Sequence, residues 1–339
     1  MAITTRQIVL DADAPNFLAL AEATSVLRSG GLVAFATETV YGLGADATNS
    51  FAVARIFEAK GRPATNPLIV HVHDEAAAVA CVASWPEHAR ALAERFWPGP
   101  LTLVLPRSGL IPDIVTAGQE TVGVRIPGLP LARNLIRQVG RPIAAPSANR
   151  STGISPTTAD HVASDLDGKV ELILDSGPTT LGIESTVLDL STDHPRILRP
   201  GLISAEALAE VLGLPILSLE TFDEPTPTRS PGQMATHYAP ATPTYRVDRD
   251  QLSSLDPPGR FALLVVGPSW PGMPPFAIPL ETPDEAARLL YHNLHACDEQ
   301  GLDFLLIVRP PAIPEWRAIR DRLDRASRPY PGDQHVPTS

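Results

Sequence analysis

The segment Leu32-Val-Ala-Phe-Ala36 runs straight into Thr37-Glu-Thr-Val-Tyr-Gly-Leu-Gly44. Five apolar residues are enough for a buried strand and too few for a helix, so a strand is read here. The hydroxyl-rich stretch behind it, with two glycines, reads as a turn at the strand's carboxyl end, where open α/β sheets build their sites. Upstream, Phe17, Leu20, Ala21, Thr24 and Leu27 fall at helical spacing between Asn16 and Ser29, and Gly30-Gly31 stops that helix. Downstream, Ser50 is the expected N-cap of a helix through Phe51, Ala54 and Phe57, which ends near Lys60-Gly61 because Gly and then Pro63 forbid continuation. Lys60 and Arg62 are thereby expected in a loop.

Short β-rich runs follow at 68–72, 101–105, 122–126, 143–145, 171–174, 185–190 and 196–198, with helical patterns between several of them. Such irregular alternation predicts an α/β domain with a mixed, twisted sheet over residues 6–213. Residues 214–243, with Glu224-Pro-Thr-Pro-Thr and Ser230-Pro-Gly, show no sustained period and read as a linker. Beyond it, expected strands at 244–247, 261–266 and 304–308 and helices at 283–299 and 315–326 make a smaller, parallel α/β domain over 244–330, followed by a frayed tail. The length of 339 residues agrees with two domains.

With 38 acidic and 27 basic residues the chain carries a formal charge of −11, which argues against a protein that grips nucleic acid by neutralising phosphates. Cys81 and Cys297 fall in different expected domains, so neither a disulfide framework nor a cysteine zinc site is expected. No stretch resembles a signal peptide or a membrane span, and a cytoplasmic protein is the expectation.

Four groups of residues carry chemistry. Thr37 and Thr39 lie in the glycine-containing turn. Lys60-Gly-Arg-Pro-Ala-Thr-Asn-Pro-Leu-Ile-Val-His71 places two cations one residue apart before Asn66 and a strand ending in His71. A solvated helix end would explain the cations through the helix dipole; the stiffening Pro63 favours a polyphosphate site instead. Pro146-Ser-Ala-Asn149 precedes Ser155 and Thr157, either of which could cap the next helix and so make an anion site. Last come Thr121 and Arg125, Ser185, and Arg199. An arginine inside an apolar strand is costly to bury unpaired, so Arg125 is expected either to face a cavity that holds a carboxylate or to pair with Glu120 or Glu184.

Each motif is weak alone, but in this order (T-x-T-V-Y-G-L-G, K-G-R-P-x-x-N-P-L-I-V-H-V, P-S-A-N, S-P-T, E-S-T-V, L-R-P-G) the set resembles the YrdC-like domain of threonylcarbamoyl-adenylate synthases. Ser230-Pro-Gly-Gln-Met-Ala-Thr-His-Tyr-Ala-Pro240 resembles the linker of the longer, two-domain form. The resemblance implies a mixed sheet around a large cavity and a Rossmann-like second domain. It implies a reaction that joins L-threonine, bicarbonate and ATP into L-threonylcarbamoyl-adenylate with release of pyrophosphate, Mg²⁺ accompanying the ATP. The product would supply a transferase complex that modifies the tRNA adenosine beside the anticodon. The family signature falls on Lys60, Arg62, Ser147 and Asn149. Thr39, His71, Arg125, Ser147 and Ser185 would surround threonine; Arg62, Asn66, Thr121, Asn149, Ser155, Thr157, Arg199 and the linker's His237 would surround ATP.

Family linkers often carry basic residues where this chain has Gln233, Met234, Ala235 and Thr236, which weakens any electrostatic help from the linker, although the linker is still expected to act as a lid. The main competitor is a non-enzymatic RNA-binding or ribosome-assembly module on the same scaffold, which the acidic balance and the intact motif set disfavour.

Overall fold

The computed structural model describes residues 3–10, 16–218, 237–255 and 257–331. The expected lid segment, with Gln233 to Thr236, and the expected frayed tail beyond 331 lie outside the described residues. Two compact units emerge. The first holds described residues up to 151 and from 155 to 218; the second holds 152–154 and the chain from 237 onward.

The first unit is built on an eleven-stranded mixed sheet. In chain order its strands are β1 (Arg6–Val9), β2 (Val33–Ala36), β3 (Tyr41–Asp46), β4 (Ile69–His71), β5 (Leu101–Pro106), β6 (Thr121–Arg125), β7 (Ile143–Ala144), β8 (Leu172–Asp175), β9 (Thr186–Asp189), β10 (Arg196–Arg199) and β11 (Leu217–Ser218). They lie in the order β1-β8-β2-β3-β7-β4-β6-β5-β9-β10-β11. Parallel pairs such as β4/β6 and β5/β9 alternate with antiparallel pairs such as β2/β3 and β5/β6. The mixed sheet expected from the sequence is therefore present. Residues of β2 alternate between two cores: Ala34 and Ala36 join one buried cluster, Val33 and Phe35 the other. Burial on both faces explains why this strand reads as an unbroken apolar run.

Local signals were mostly sound about elements and less so about their details. The first helix, α1, spans Phe17–Arg28, but its buried face is Leu20, Ala23, Thr24 and Leu27, while Phe17 and Ala21 face outward. Helix α2 spans Ser50–Lys60 and ends at Gly61 in the left-handed conformation. Its cap is Asn49, not Ser50: the Asn49 side chain accepts hydrogen bonds from the N–H groups of Phe51 and Ala52.

The larger correction concerns Thr37 to Gly44. Only the first four residues form the turn; Tyr41 to Asp46 continue as β3, antiparallel to β2, so the segment is a hairpin. Gly42 and Gly44 are strand residues kept small by their neighbours. A Cβ at Gly44 would lie 2.7 Å from Phe35 Cε1 and 3.0 Å from Ile143 Cγ2. A Cβ at Gly42 would press on that of Ala145 at 3.3 Å.

The second unit carries β12 (Thr244–Val247), β13 (Phe261–Val266), β14 (Ile278–Leu280), β15 (Phe304–Val308) and β16 (Arg328–Pro329) in the order β14-β13-β15-β12-β16, every pair parallel. Helices Pro283–Asp298, capped by Thr282, and Arg317–Ala326 connect strands of this sheet. A small parallel α/β domain was the expectation. No described helix is long and apolar enough to cross a membrane.

Replacing Gly44 by Ala should cost about 1–3 kcal/mol, since three packed elements must give way to one methyl group. Urea unfolding of Gly44→Ala measures it; a midpoint equal to that of the parent chain would refute the close-packing account.

Candidate active site

Lys60 ends α2 fully inside the protein, 3% exposed. Its ammonium donates to the main-chain oxygen of Ser147 at 2.6 Å, to that of Asn149, and to Asn149 Oδ1 at 3.2 Å. Ser147 Oγ in turn donates to Asn149 Oδ1 at 2.6 Å, and the Ser151 N–H donates to the Lys60 carbonyl at 2.8 Å. The K-x-R and S-x-N motifs thus meet although about a quarter of the chain separates them. Burial and the neighbouring Arg62 push the Lys60 pKa well below the usual lysine value. The three acceptor oxygens oppose that shift, since only the ammonium has three protons to donate. Lys60 spends those protons on the loop and so holds it in place.

Arg62 is no solvated loop cation. It is 7% exposed, and its guanidinium donates to the carbonyls of Asn66 at 3.3 Å and Pro67 at 3.0 Å. That bracing shapes the 61–68 loop and buries Asn66.

A second cluster forms around Arg125, which donates to Gly99 O at 3.1 Å, Thr39 Oγ1 at 3.1 Å and Glu38 Oε1 at 2.6 Å. The buried ion pair is therefore with Glu38, not with Glu120 or Glu184. Thr39 Oγ1 also meets Thr37 Oγ1 at 2.8 Å. His71 is the cross-strand neighbour of Arg125. Burial first, and the Arg125 charge second, push its pKa down to about 3, so the imidazole is neutral at ordinary pH.

A third cluster joins Ser185 and Arg199. The Arg199 Nε and Nη2 donate to Ser185 O at 3.1 and 3.0 Å, Nη2 also reaches Ser185 Oγ at 3.1 Å, and that hydroxyl pairs with Thr102 Oγ1 at 2.8 Å. Beside it, Ser155 Oγ donates to Glu184 Oε1 at 2.5 Å. The helix after Ser155 and Thr157 is capped by Thr158, so neither expected residue caps it; Thr157 instead lies against His161 Nδ1.

The main chain of Tyr41 links these clusters. Its N–H donates to Pro156 O at 2.9 Å, its carbonyl accepts from Ala148 N–H at 2.8 Å, and its hydroxyl donates to Gly177 O at 2.7 Å. Thr121 stands apart from this network: it begins β6, four residues and roughly 13 Å along the strand from Arg125. His237 belongs to the second unit, where its ring packs edge-on against Tyr238 at 4.0 Å and its main-chain N–H donates to Arg325 O.

Sequence comparison bears on this arrangement directly. The Sua5/YciO/YrdC family model, described as telomere recombination, matches residues 25–201, and that of the threonylcarbamoyl-AMP synthase C-terminal domain matches 203–328. The chain is 42% identical over 316 residues to the threonylcarbamoyl-AMP synthase of Pyrococcus abyssi, covering 90% of this chain and 93% of that protein. The chain belongs to the threonylcarbamoyl-AMP synthase family. The Bacillus subtilis synthase is 50% identical over 236 residues, 69% of this chain and 68% of that one. The solved structure of Pyrococcus abyssi Sua5 complexed with L-threonine matches with a TM-score of 0.81 at 38% identity, over 95% of this chain and 97% of that one.

Within this synthase family scaffold, sequence reading passed over Glu38 and Thr102 as site neighbours and named Glu184 only as an alternative partner of Arg125, whereas it accepts from Ser155. Glu38 and Glu184 stand inside quoted motifs, T-E-T and E-S-T, so their position was a usable signal. Thr102 had none: it is one residue in an apolar strand.

Lys60→Ala should lower the unfolding free energy by at least about 2 kcal/mol, because it removes the three hydrogen bonds that tie the 147–149 loop to the helix end; an unchanged denaturation midpoint would contradict the bracing role. The depressed His71 pKa also has a pH signature. Between pH 6.5 and about 3 the unfolded chain takes up a proton on His71 that the native chain refuses. Its neutral burial is therefore harmless above pH 6.5 and increasingly destabilising as pH falls. Comparing unfolding at pH 7 and pH 4, His71→Gln should lose less stability than the parent chain, and equal losses would refute a neutral, buried His71.

Proposed function

We propose that this chain is a threonylcarbamoyl-AMP synthase that converts L-threonine, bicarbonate and ATP into L-threonylcarbamoyl-adenylate, pyrophosphate and water. The observation that carries this reading is the buried bond from Lys60 to Ser147 and Asn149, which joins the two halves of the family motif in one place. The match to relatives of that name over most of the chain supports it, and nothing in these relatives favours the RNA-binding alternative.

In this reading the threonine amine captures carbon dioxide or bicarbonate as a carbamate. A carbamate oxygen then attacks the α-phosphorus of ATP, and pyrophosphate leaves. Negative charge stays on phosphate oxygens throughout, so catalysis consists of positioning and electrostatic stabilisation. Arg125 takes the threonine carboxylate, with Thr39, His71, Ser147 and Ser185 around the amino acid. Arg62, Asn66, Thr121, Asn149, Ser155, Thr157, Arg199 and His237 are the proposed nucleotide contacts. Among the described residues no cluster of three or more His, Cys, Asp or Glu could hold a metal ion. Mg²⁺ is therefore proposed only as a companion of the triphosphate, where it would neutralise charge. The mixed anhydride product is labile, so a transferase that passes its acyl group to a tRNA adenosine is the proposed consumer, in the cytoplasm.

Pyrophosphate release by the purified chain with Mg²⁺ and ATP should require both bicarbonate and L-threonine. L-Valine should fail, because a pocket built for the hydroxyl leaves polar groups unpaired. L-Serine, lacking one methyl, should be disfavoured by only about 1–3 kcal/mol in kcat/KM. Release independent of L-threonine from folded protein would overturn the assignment. Arg62→Ala should abolish release and also cost about 1–3 kcal/mol of stability through the two buried hydrogen bonds it removes; near-normal turnover would remove Arg62 from the site.

A further inference from the structure

Glu38 occupies the turn between β2 and β3, a place where a charged side chain ordinarily points to water. Here it turns inward, with 11% of the side chain exposed. The surrounding fold is shaped to receive it. Its main-chain oxygen accepts from Leu181 N–H at 2.8 Å, and opposite the carboxyl group stands Gly128, where a Cβ would lie 2.9 Å from Glu38 Cδ. Neutralising Arg125 accounts for Oε1. It does not account for Oε2, which is fully buried and accepts no hydrogen bond among the described residues. A buried carboxylate oxygen without a donor is costly, and such an atom at a site points to a donor that arrives with a ligand.

The neighbourhood indicates which donor. His71, on β4 beside Arg125, is neutral, and its Nδ1 is likewise buried without a partner. Thr37, Thr39, Thr180, Leu181 and Gly128 bring no charge. The ion pair here is one guanidinium and one carboxylate, with threonine hydroxyls beside them and Arg133 held on the carbonyls of Pro127 and Gly128, and such a pair complements a zwitterionic amino acid.

We propose that Glu38 Oε2 receives the α-ammonium group of the amino-acid substrate, so that Glu38 and Arg125 together clamp its two charged ends. This rests on the L-threonine site proposed above and assigns it a residue for the ammonium. The task is recognition: a carboxylate is far too weak a base to strip an ammonium group. The ligand must enter protonated, so affinity should fall as pH rises past the pKa of the free amine.

Calorimetric titration of the full chain tests this with L-threonine and with (R)-3-hydroxybutanoate, which keeps the carboxylate and hydroxyl and lacks the ammonium. The parent chain should bind L-threonine at least about tenfold more tightly than the desamino acid, the scale of one charge-assisted hydrogen bond. In Glu38→Gln that preference should shrink to about threefold or less through loss of L-threonine affinity, and its dependence on amine protonation should flatten. Glu38→Asp should keep an intermediate preference. Equal binding of the two ligands by the parent chain overturns the proposal without needing any variant to fold. So does a folded Glu38→Gln that binds L-threonine as well or better, which would make Glu38 a competitor for Arg125. Failure of the parent chain to bind L-threonine at all would instead remove the synthase reading, and the clamp with it.

Discussion

The arrangement of the candidate site depends on one buried ammonium. Lys60 gives up its hydration and recovers it from three oxygens of the Ser147–Asn149 loop. Unpaired, such a charge could not be kept in the interior. Because Gly61 stops the helix at that residue, the ammonium is delivered from a fixed helix end to a fixed loop. Ser147 and Asn149 are then oriented by a group that need not touch any ligand.

The same economy governs the other buried cations. Arg62 is tied to carbonyls of its own loop, Arg125 to Glu38 and Thr39, and Arg199 to Ser185. Each is held by oxygens of the surrounding fold, which fixes the direction of the guanidinium. Glu38 differs in offering an acceptor. Its carboxylate sets a negative charge beside the positive charge of Arg125.

The hairpin of β2 and β3 distributes these pieces. Through the main chain of Tyr41 it binds the Ser147–Asn149 loop on one side and Pro156 on the other, and its turn presents Glu38 and Thr39 to Arg125. Gly42 and Gly44 let β3 lie against Ala145, Phe35 and Ile143 without a gap. A chemically loaded turn thus stands on a tightly packed base.

From the sequence alone, the helices ending at Ser29 and Lys60, most strands of the mixed sheet and the parallel sheet of the second unit could be read, because each announces itself by a local period or by a Gly or Pro stop. The motif residues were equally visible as residue types. The tertiary structure alone decided that β3 begins at Tyr41, that α1 buries Ala23 and not Ala21, that Thr158 caps its helix, and that Arg125 pairs with Glu38. Local patterns span one or two turns of chain, whereas these outcomes are set by contacts such as Arg125 to Glu38 or Lys60 to Ser147, each 87 residues apart. Only when the sheet brings such residues together does burial determine which polar groups must find each other.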